Sequence, residues 1–414
     1  MQKDHLGPTK VPLHVLIIGG GIGGLCLAQG LRKSGISVAV YERDKSVHFR
    51  YQGYRIHINA DGSRALHDCL PQNLFSLFVA TSSKPITGRF AVFDPHLKER
   101  FSWPLPRAVA DSSFLLTTDV NRLTLREILL HGLDGIVHFD KTFERFEQAD
   151  GGQVCAYFAD GTSATGDLLI GADGSNSVVR KLIVPDAELA DTGWVIYGKT
   201  PLTTETMEWV PDSWVNGFSR AVGPDGVGMG TGPYRKREPF AEAVAKYAPG
   251  LHLTDTQDYL MWTLSVSLAQ LPLSNEQFRD VDGATLQAVA RELVKEWHPV
   301  LRRLVDEADI PATFLIGLRY AEPVKRWQTT NITLLGDAIH TMPPSRGEGA
   351  NTALRDAELL HHTLVDVATK GVSLLQAKVE YETAMLEYGF EAVTNAIKKP
   401  FFGLHTSGEA HRPN

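Results

Sequence analysis

Three glycine-rich turns, each with a carboxylate in register, carry the chemistry most readily read in this chain. The first is Gly19-Gly20-Gly21-Ile22-Gly23-Gly24, a G-x-G-x-x-G run, with Glu42 lying 18 residues past Gly24. Gly19 permits a tight turn, Gly21 lets the backbone approach a pyrophosphate, and Gly24 lets a helix pack on a strand. Phosphates would rest on the free N–H groups of the helix start. Glu42 stands close to the spacing of the acid that grips a ribose hydroxyl. The pattern reads as an adenine-dinucleotide site and does not by itself separate NAD from FAD. The second turn is Gly171-Ala172-Asp173-Gly174, leading through Ser175 and Asn176, either available as a helix cap, to Arg180. The third starts at Gly336-Asp337 and runs past His340 to Gly349-Ala350-Asn351. A carboxylate at a strand end, Asp337, suits sugar-like hydroxyls. The helix N-terminus at Gly349, Ala350 and Asn351 suits negative charge on a polarised ring.

Each turn needs a strand before it and a helix after it. Val15-Leu16-Ile17-Ile18, Leu168-Leu169-Ile170 and Ile332-Thr333-Leu334-Leu335 are short apolar runs that read as buried parallel strands. Val38–Tyr41 completes a βαβ unit after the first. A helical period opens at Arg122, capped by Asp119 or Asn121, and places Arg122 to meet an anion or to face water. Residues 52–58 alternate like a strand, with Arg55 and His57 on one face, turned to solvent or, for Arg55, toward a cofactor. Phe90–Phe93 and residues 114–116 are strand-like around the proline-rich Trp103-Pro104-Leu105-Pro106. Residues 194–270 read as β-rich, with strands expected over 214–218, 226–232 and 259–268. Gly226, Gly228, Gly230 and Gly232 alternate, so one face is bare backbone, either a ligand platform or a flexible loop. Residues 193–200 fit the P-loop pattern, but Trp194, Val195, Ile196 and Tyr197 are strand formers and Pro201 follows, which excludes a phosphate cradle. Arg235-Lys236-Arg237 reads as a solvated turn, 284–308 as an amphipathic helix or pair, and 389–399 as a last helix.

The 414 residues suffice for two interlocked units. Hydrophobic content of 43 % and charged content of 21 % are those of an ordinary globular protein. The net charge of −7 is spread out and suggests neither nucleic acid nor an anionic membrane as partner. Cys26, Cys69 and Cys155 form no C-x-x-C pair, which points to a reducing, cytoplasmic setting without disulfide or zinc. The first twelve residues lack the apolar run of a signal peptide, residues 13–31 are too glycine-rich for a span, and 405–414 read as a loosely held tail.

Taken in order, Gly19–Gly24 with Glu42, Arg122 at its helix start, 171–180 and 336–351 resemble the single-component FAD-dependent aromatic hydroxylases, the class A flavoprotein monooxygenases of the p-hydroxybenzoate hydroxylase fold. The resemblance spans about residues 12–395 and is loosest over 185–270. It implies an α/β fold: a Rossmann-like FAD-binding domain, an interleaved β-sheet substrate domain and C-terminal helices. The expected division is 12–80, 119–182 and 273–372 for FAD, 81–118 and 183–272 for substrate, 373–404 as a helical segment, and 405–414 as tail. By resemblance Gly19, Gly21 and Gly24, with Ile22 and Gly23, hold the FAD pyrophosphate. Glu42 binds the adenosine ribose, with Arg43 beside it, and Arg122 contacts FAD. Asp173 lies in the motif linked to both FAD and NAD(P)H, Asp337 binds the ribitol chain, and Pro344, Gly347, Gly349, Ala350 and Asn351 hold the isoalloxazine edge.

The reaction implied is insertion of one oxygen atom from O2 into an aromatic or polyketide-like small molecule, with NADPH or NADH as reductant and a C4a-hydroperoxyflavin as oxidant. Epoxidation and Baeyer–Villiger insertion on the same fold are the alternatives, and a non-catalytic flavin-binding ligand carrier is the reading from another class. No second G-x-G-x-x-G follows, which disfavours two-Rossmann Baeyer–Villiger enzymes and disulfide reductases, and no W-x-W-x-I-P pattern marks a halogenase. Arg346 stands where the family commonly has a neutral residue and would carry specificity or face water. Tyr197-Gly198-Lys199 occupies the region of a phenolate clamp, with Lys199 the weak candidate. His57, Lys199, Tyr197 and Arg220 are the residues from which no general base can be singled out. The sequence leaves the substrate, the choice between NADH and NADPH and the oligomeric state open.

Overall fold

The computed structural model describes residues 13–49, 53–105, 117–148, 150–266, 281–328 and 330–398. The strand expected at 114–116, the ends of those expected from 52 and to 268, and both chain termini lie outside them.

The β-strand β1 (His14–Ile18) is buried and enters the glycine turn, after which the helix α1 (Ile22–Lys33) returns to β2 (Ser37–Tyr41). The next pieces are β3 (Arg55–Ile58), α2 (Ala60–Cys69), α3 (Gln72–Thr81), β4 (Arg89–Phe93), β5 (Glu99–Pro104), β6 (Thr118–Asn121) and α4 (Arg122–Leu130). Then come β7 (Val137–His138), β8 (Phe143–Gln148), β9 (Val154–Phe158), β10 (Ser163–Gly166), β11 (Leu168–Gly171) and α5 (Val178–Ile183). The remaining strands are β12 (Leu189–Pro201), β13 (Phe218–Val222), β14 (Gly228–Tyr234), β15 (Tyr259–Val266), β16 (Phe314–Ala321) and β17 (Ile332–Leu334).

β17, β11, β1, β2 and β7 form a parallel sheet in that order. The three strands that feed the glycine turns, β1, β11 and β17, are therefore neighbours, and their carboxyl ends open on one side. Open α/β sheets bind ligands at such ends. A second sheet, in the order β16-β12-β15-β14-β13-β4-β5, is antiparallel except between β13 and β4. β3 and β6 form a separate antiparallel ribbon.

Two apolar cores result. One surrounds the parallel sheet and holds Val15, Leu25, Ile170, Leu334 and Leu360. The other lies between the second sheet and the helices Gly283–Leu293 and Pro299–Asp306, and holds Ile196, Trp262, Leu286, Leu301 and Leu304. Those helices were expected with the cofactor unit. Their apolar stripes meet the face of β12 and β15 that carries Ile196 and Trp262.

Other expectations change in detail. Residues 212–215 are helical, because Pro211 sets the first turn and Trp214 and Val215 enter the second core; the strand begins only at Phe218. Trp103 and Pro104 end the edge strand β5, a position where a missing N–H costs no pairing. The last helix starts at Leu374, and Gly389 lies inside it, where an added Cβ would come within 2.6 Å of His340 Cδ2. Arg235-Lys236-Arg237 is pinned rather than solvated: Lys84 N–H donates to the Arg235 carbonyl and Arg237 Nη2 to the Ser83 carbonyl. Residues 193–200 lie wholly within β12, as their strand-forming character required.

Candidate functional site

The carboxyl ends of β1, β11 and β17 open into a cavity of about 970 Å³, near the top of the roughly 300–1,000 Å³ range of ligand sites. Gly21, Ile22, Gly23 and Gly24 line it, with Arg122, Gly174, Asp337, Pro344, Gly347, Gly349 and Ala350. Its far wall is the second sheet, through Val195, Tyr197, Phe218, Gly230, Met261, Thr263 and Ile316. One continuous space thus touches both sheets.

Gly19 turns the chain out of β1 with φ +113°. A Cβ there would lie 2.6 Å from the Ala172 carbonyl carbon and 2.9 Å from Asp173 Cα, so the turn presses on the second glycine motif. A Cβ on Gly21 would meet no protein atom and would stand in the cavity instead. Neither Gly21, the N-cap of α1, nor Glu348 at the start of the helix Gly349–Lys370 caps its helix with a side chain; the Glu348 carboxylate pairs with Arg346 instead. Two helices therefore point uncapped N-termini at one space, where the macrodipole favours anions. Asp337 is open to the cavity yet enclosed by protein. Burial raises its carboxyl above the ordinary range, against the pull of His340 and Arg122. Its carboxylate has no protein hydrogen-bond partner among the described residues. An unpartnered acid with two uncapped helix starts suits a ligand bearing hydroxyls, phosphates and an electron-poor ring, which is the donor and acceptor pattern of a flavin dinucleotide.

Other expected residues stand one layer back. Glu42 is buried; its Oε2 accepts the Gly20 N–H at 2.7 Å and its Oε1 the Asp44 N–H at 2.9 Å. It thus shapes the first turn from behind, while Arg43 is exposed and does not line the cavity. The Asp173 carboxylate accepts from the Ser177 hydroxyl and the Val178 N–H, so Asp173 and Ser177 begin α5, not Ser175 or Asn176. Burial raises the Asp173 carboxyl and these hydrogen bonds oppose it. Arg122 lines the cavity with its guanidinium 5.6 Å from the Tyr54 ring. Asn121 caps its helix.

Asn351 is 2 % exposed and faces the protein rather than the cavity. Its side chain accepts the Asn59 N–H at 2.9 Å and donates to the carbonyls of His57 and Gly347 at 2.9 and 2.8 Å. It ties the third loop to β3. Asn351→Ala is expected to cost about 1–3 kcal/mol, because buried backbone groups lose their partners; a lowered urea midpoint measures it, and an unchanged midpoint contradicts the tie.

The alternating glycines resolve into a wall filled by the protein itself. Gly226 precedes the strand. Cβ atoms on Gly228 and Gly232 would meet the Arg220 guanidinium at 2.5 Å and the Phe218 ring at 2.8 Å. Gly230 between them lines the cavity. Lys199 does not line it: its amine lies 3.9 Å from Asp309 and 5.2 Å from the Tyr259 ring, and burial lowers its pKa. Burial also takes Arg220 down to about 10.

Two features escape a sequence reading. Arg126, one turn past Arg122, is the arginine that supports the first turn. Its Nε donates to the Gly20 carbonyl at 3.0 Å and its Nη2 lies 3.6 Å from Glu42. The i, i+4 spacing from Arg122 was the available signal. The other is the pairing of Arg55 and His57 with Asp119 across the ribbon, at 2.5 and 3.0 Å. His57 was visible as a candidate, but its partner lies 62 residues away.

Among the described residues no helix is long and apolar enough to cross a membrane, and no group of three His, Cys, Asp or Glu is placed to hold a metal ion.

Comparison with known proteins agrees with this geometry. Residues 284–388 match the family described as FAD binding domain, and residues 17–83 match the NAD(P)-binding Rossmann-like domain. A dual O-methyltransferase/FAD-dependent monooxygenase of Cercospora beticola is 35 % identical over 393 residues, 90 % of this chain and 44 % of that protein. The chain thus spans less than half the length of the dual-function relatives it matches. A solved structure from Photorhabdus luminescens subsp. laumondii, described as an FAD-containing monooxygenase, is 32 % identical with a TM-score of 0.78; the match covers 93 % of this chain and 96 % of that one. 2,6-Dihydroxypyridine-3-hydroxylase from Arthrobacter nicotinovorans shares the fold at 22 % identity and TM-score 0.75, covering 97 % and 95 %.

Proposed function

The chain belongs to the FAD-dependent monooxygenases of the p-hydroxybenzoate hydroxylase fold, and we propose that it uses FAD, NAD(P)H and O2 to hydroxylate an aromatic or polyketide-like small molecule. The observation that carries this reading is the single cavity shared by the glycine turns and the second sheet. When bound, the flavin accepts hydride from the nicotinamide and activates O2 at ring carbon C4a, so that one oxygen atom reaches the substrate and the other leaves as water.

The chain's own part is binding, orientation and exclusion of water. The N–H groups at the start of α1 would hold the pyrophosphate, with Gly19 and Gly24 shaping the turn and Glu42 supporting it from behind. Arg122 and Asp173 would stand along the dinucleotide, and Asp337 would bind the ribitol hydroxyls. Pro344, Gly347, Gly349 and Ala350 would fix the ring edge, with Asn351 holding their loop from behind and the helix N-terminus at Gly349 favouring negative charge there. Tyr54 and Tyr197 line the substrate side of the cavity, and the Phe314 ring, 4.9 Å from that of Tyr197, packs against both, which gives that side an aromatic wall. Such a wall suits a planar ring and keeps water out. The division that follows places the parallel sheet with the cofactor, and the second sheet, with its helices at 283–306, with the substrate. Relatives that carry an O-methyltransferase on the same chain suit a product with a new hydroxyl group, which favours hydroxylation over epoxidation or ring insertion.

The test is the visible spectrum of the purified protein, followed by NADPH and NADH oxidation and oxygen uptake with phenolic, indolic and polyketide-like rings. Ligand-stimulated oxidation with an oxygenated product supports the reading. A flavoprotein that consumes neither NAD(P)H nor O2 with any ring is a ligand carrier. Asp337→Ala is expected to lose most of its FAD on gel filtration, about 10- to 150-fold in affinity for loss of a hydrogen-bonded charge at roughly 1.5–3 kcal/mol. Full yellow occupancy in that variant contradicts the role given to Asp337.

A further inference from the structure

We propose that His57 is the catalytic base of this site, set in its acceptor form by Asp119; the role rests on the monooxygenase reading above. β3 and β6 place His57 directly opposite Asp119, and His57 Nδ1 lies 3.0 Å from Asp119 Oδ1. The same oxygen meets Arg55 Nη2 at 2.5 Å. Burial alone would raise the Asp119 carboxyl; Arg55 and His57 outweigh it and hold the group below the usual carboxylate range. An ionised carboxylate only accepts hydrogen bonds. Nδ1 therefore carries the ring hydrogen, and in the neutral imidazole Nε2 presents its lone pair. Nε2 has no protein partner among the described residues. The side chain is 34 % exposed, and it lines the cavity. A base within reach of a site and oriented by a third group is the arrangement that general-base catalysis requires.

A second, independent observation fixes where this base stands. Gly347 turns with φ +68°, and a Cβ on it would lie 3.2 Å from His57 Cβ. The loop given to the ring edge thus packs on the imidazole. Two residues back along the same strand and on the same face, the Arg55 guanidinium lies 4.6 Å over the Phe218 ring, and the Arg55 N–H donates to the Tyr197 hydroxyl. Phe218 and Tyr197 belong to the substrate wall. His57 therefore sits at the seam where a bound ring cofactor and a substrate meet.

The step is a proton transfer. A phenol or enol of the substrate places its O–H at Nε2, and the O–H bond breaks. The proton moves to Nε2, and the electron pair stays on oxygen. Asp119, whose charge Arg55 shares, keeps accepting the Nδ1–H and holds the imidazolium in place, as the acid does in a hydrogen-bonded triad. The phenolate raises electron density at the ring carbon that receives the oxygen atom. The dienone formed regains aromaticity by moving its C–H proton to the ring oxygen. Nε2 returns its proton to water, matching the proton taken up as the second oxygen atom leaves as water. Arg55 and Asp119 act through His57 and are positioning residues.

Two measurements test the base. In 15N-histidine-labelled holoenzyme, the His57 ring, assigned by its loss in His57→Gln, is expected to show the Nδ1–H tautomer with a bare Nε2. An Nε2–H tautomer overturns the proposal and leaves the monooxygenase reading intact. With a ring oxygenated by the wild type, His57→Gln is expected to keep its FAD and to give roughly 10²-fold less oxygenated product per NAD(P)H consumed. A yield within threefold of wild type overturns the base role, and loss of FAD together with product makes His57 structural and overturns it too. A wild type that oxygenates no ring, with the expected tautomer present, overturns the monooxygenase reading and the base with it.

Discussion

Gly19→Val is expected to give a protein that holds no FAD and that loses about 4 kcal/mol or more of stability. Two costs add. The residue sits at φ +113°, a conformation that valine cannot adopt without strain. Its Cβ would also fall against the backbone of Ala172 and Asp173, at 2.6 and 2.9 Å for the nearest carbons. No rotamer change relieves a clash with main chain, so β1 and β11 must separate or the turn must open. Either outcome moves the N–H groups of α1 away from the place where they would meet a pyrophosphate. Flavin absorbance after gel filtration and a urea titration measure the two effects. A yellow Gly19→Val protein with a wild-type midpoint would show that the turn is not the anchor.

Asp356→Ala is the second large effect, and it lies outside the cavity. Asp356 is fully buried; its Oδ2 accepts the Gly336 N–H and meets His340 Nε2, both at 2.7 Å, and its Oδ1 accepts the Tyr388 hydroxyl at 2.6 Å. One carboxylate thus ties the third glycine turn to the helix Leu374–Lys398. Burial lowers the His340 pKa, but Asp356 and Asp337 more than reverse this and raise it above the ordinary imidazole value. Removal of Asp356 takes the buried partner from His340, from the Gly336 N–H and from the Tyr388 hydroxyl, a loss of about 3–5 kcal/mol for a broken buried network.

The sign of the pH dependence follows. His340 binds its proton more tightly folded than unfolded, so this stabilisation is complete below the unfolded value of about 6.5. It is lost as pH rises through the higher folded value. The gap in unfolding free energy between wild type and Asp356→Ala should therefore be widest in mild acid and narrow on the alkaline side. Urea titrations at several pH values measure it, and a gap that widens toward alkaline pH would contradict the pairing.

The three strand–turn–helix units were legible because each is local: an apolar run, a glycine turn and a helical period within about twenty residues. Their convergence follows from parallel-sheet order, which places β1, β11 and β17 side by side. What escaped notice was mostly non-local. Arg126 differs from Arg122 only by one helical turn, and nothing in the pattern says which of them reaches Gly20. The dyad of His57 and Asp119 depends on ribbon register, and short polar strands specify register weakly. The helices at 283–306 are amphipathic in any setting, so their stripes do not reveal which sheet they cover. The alternating glycines of β14 leave a ligand platform and a flexible loop both open in the sequence; in the strand, two of the three gaps are filled by Phe218 and Arg220 from the neighbouring strand.

The order of strands in the parallel sheet also bears on how the molecule is made. A ribosome delivers β1, α1 and β2 first, and β11 well before β17. The helix Gly349–Lys370, which packs along α1 with His361 in the space left by Gly30, arrives later still. At about 5–20 residues per second, the interval between residues 171 and 370 lasts roughly 10–40 s. One side of α1 stands uncovered in the nascent chain throughout it, and for most of it the apolar edge of β11 does too and the turn that carries Asp337 does not yet exist. Flavin capture therefore follows synthesis of the third turn, and a chain arrested before residue 336 would meet chaperones and proteases with its dinucleotide fingerprint complete and nothing to close over it.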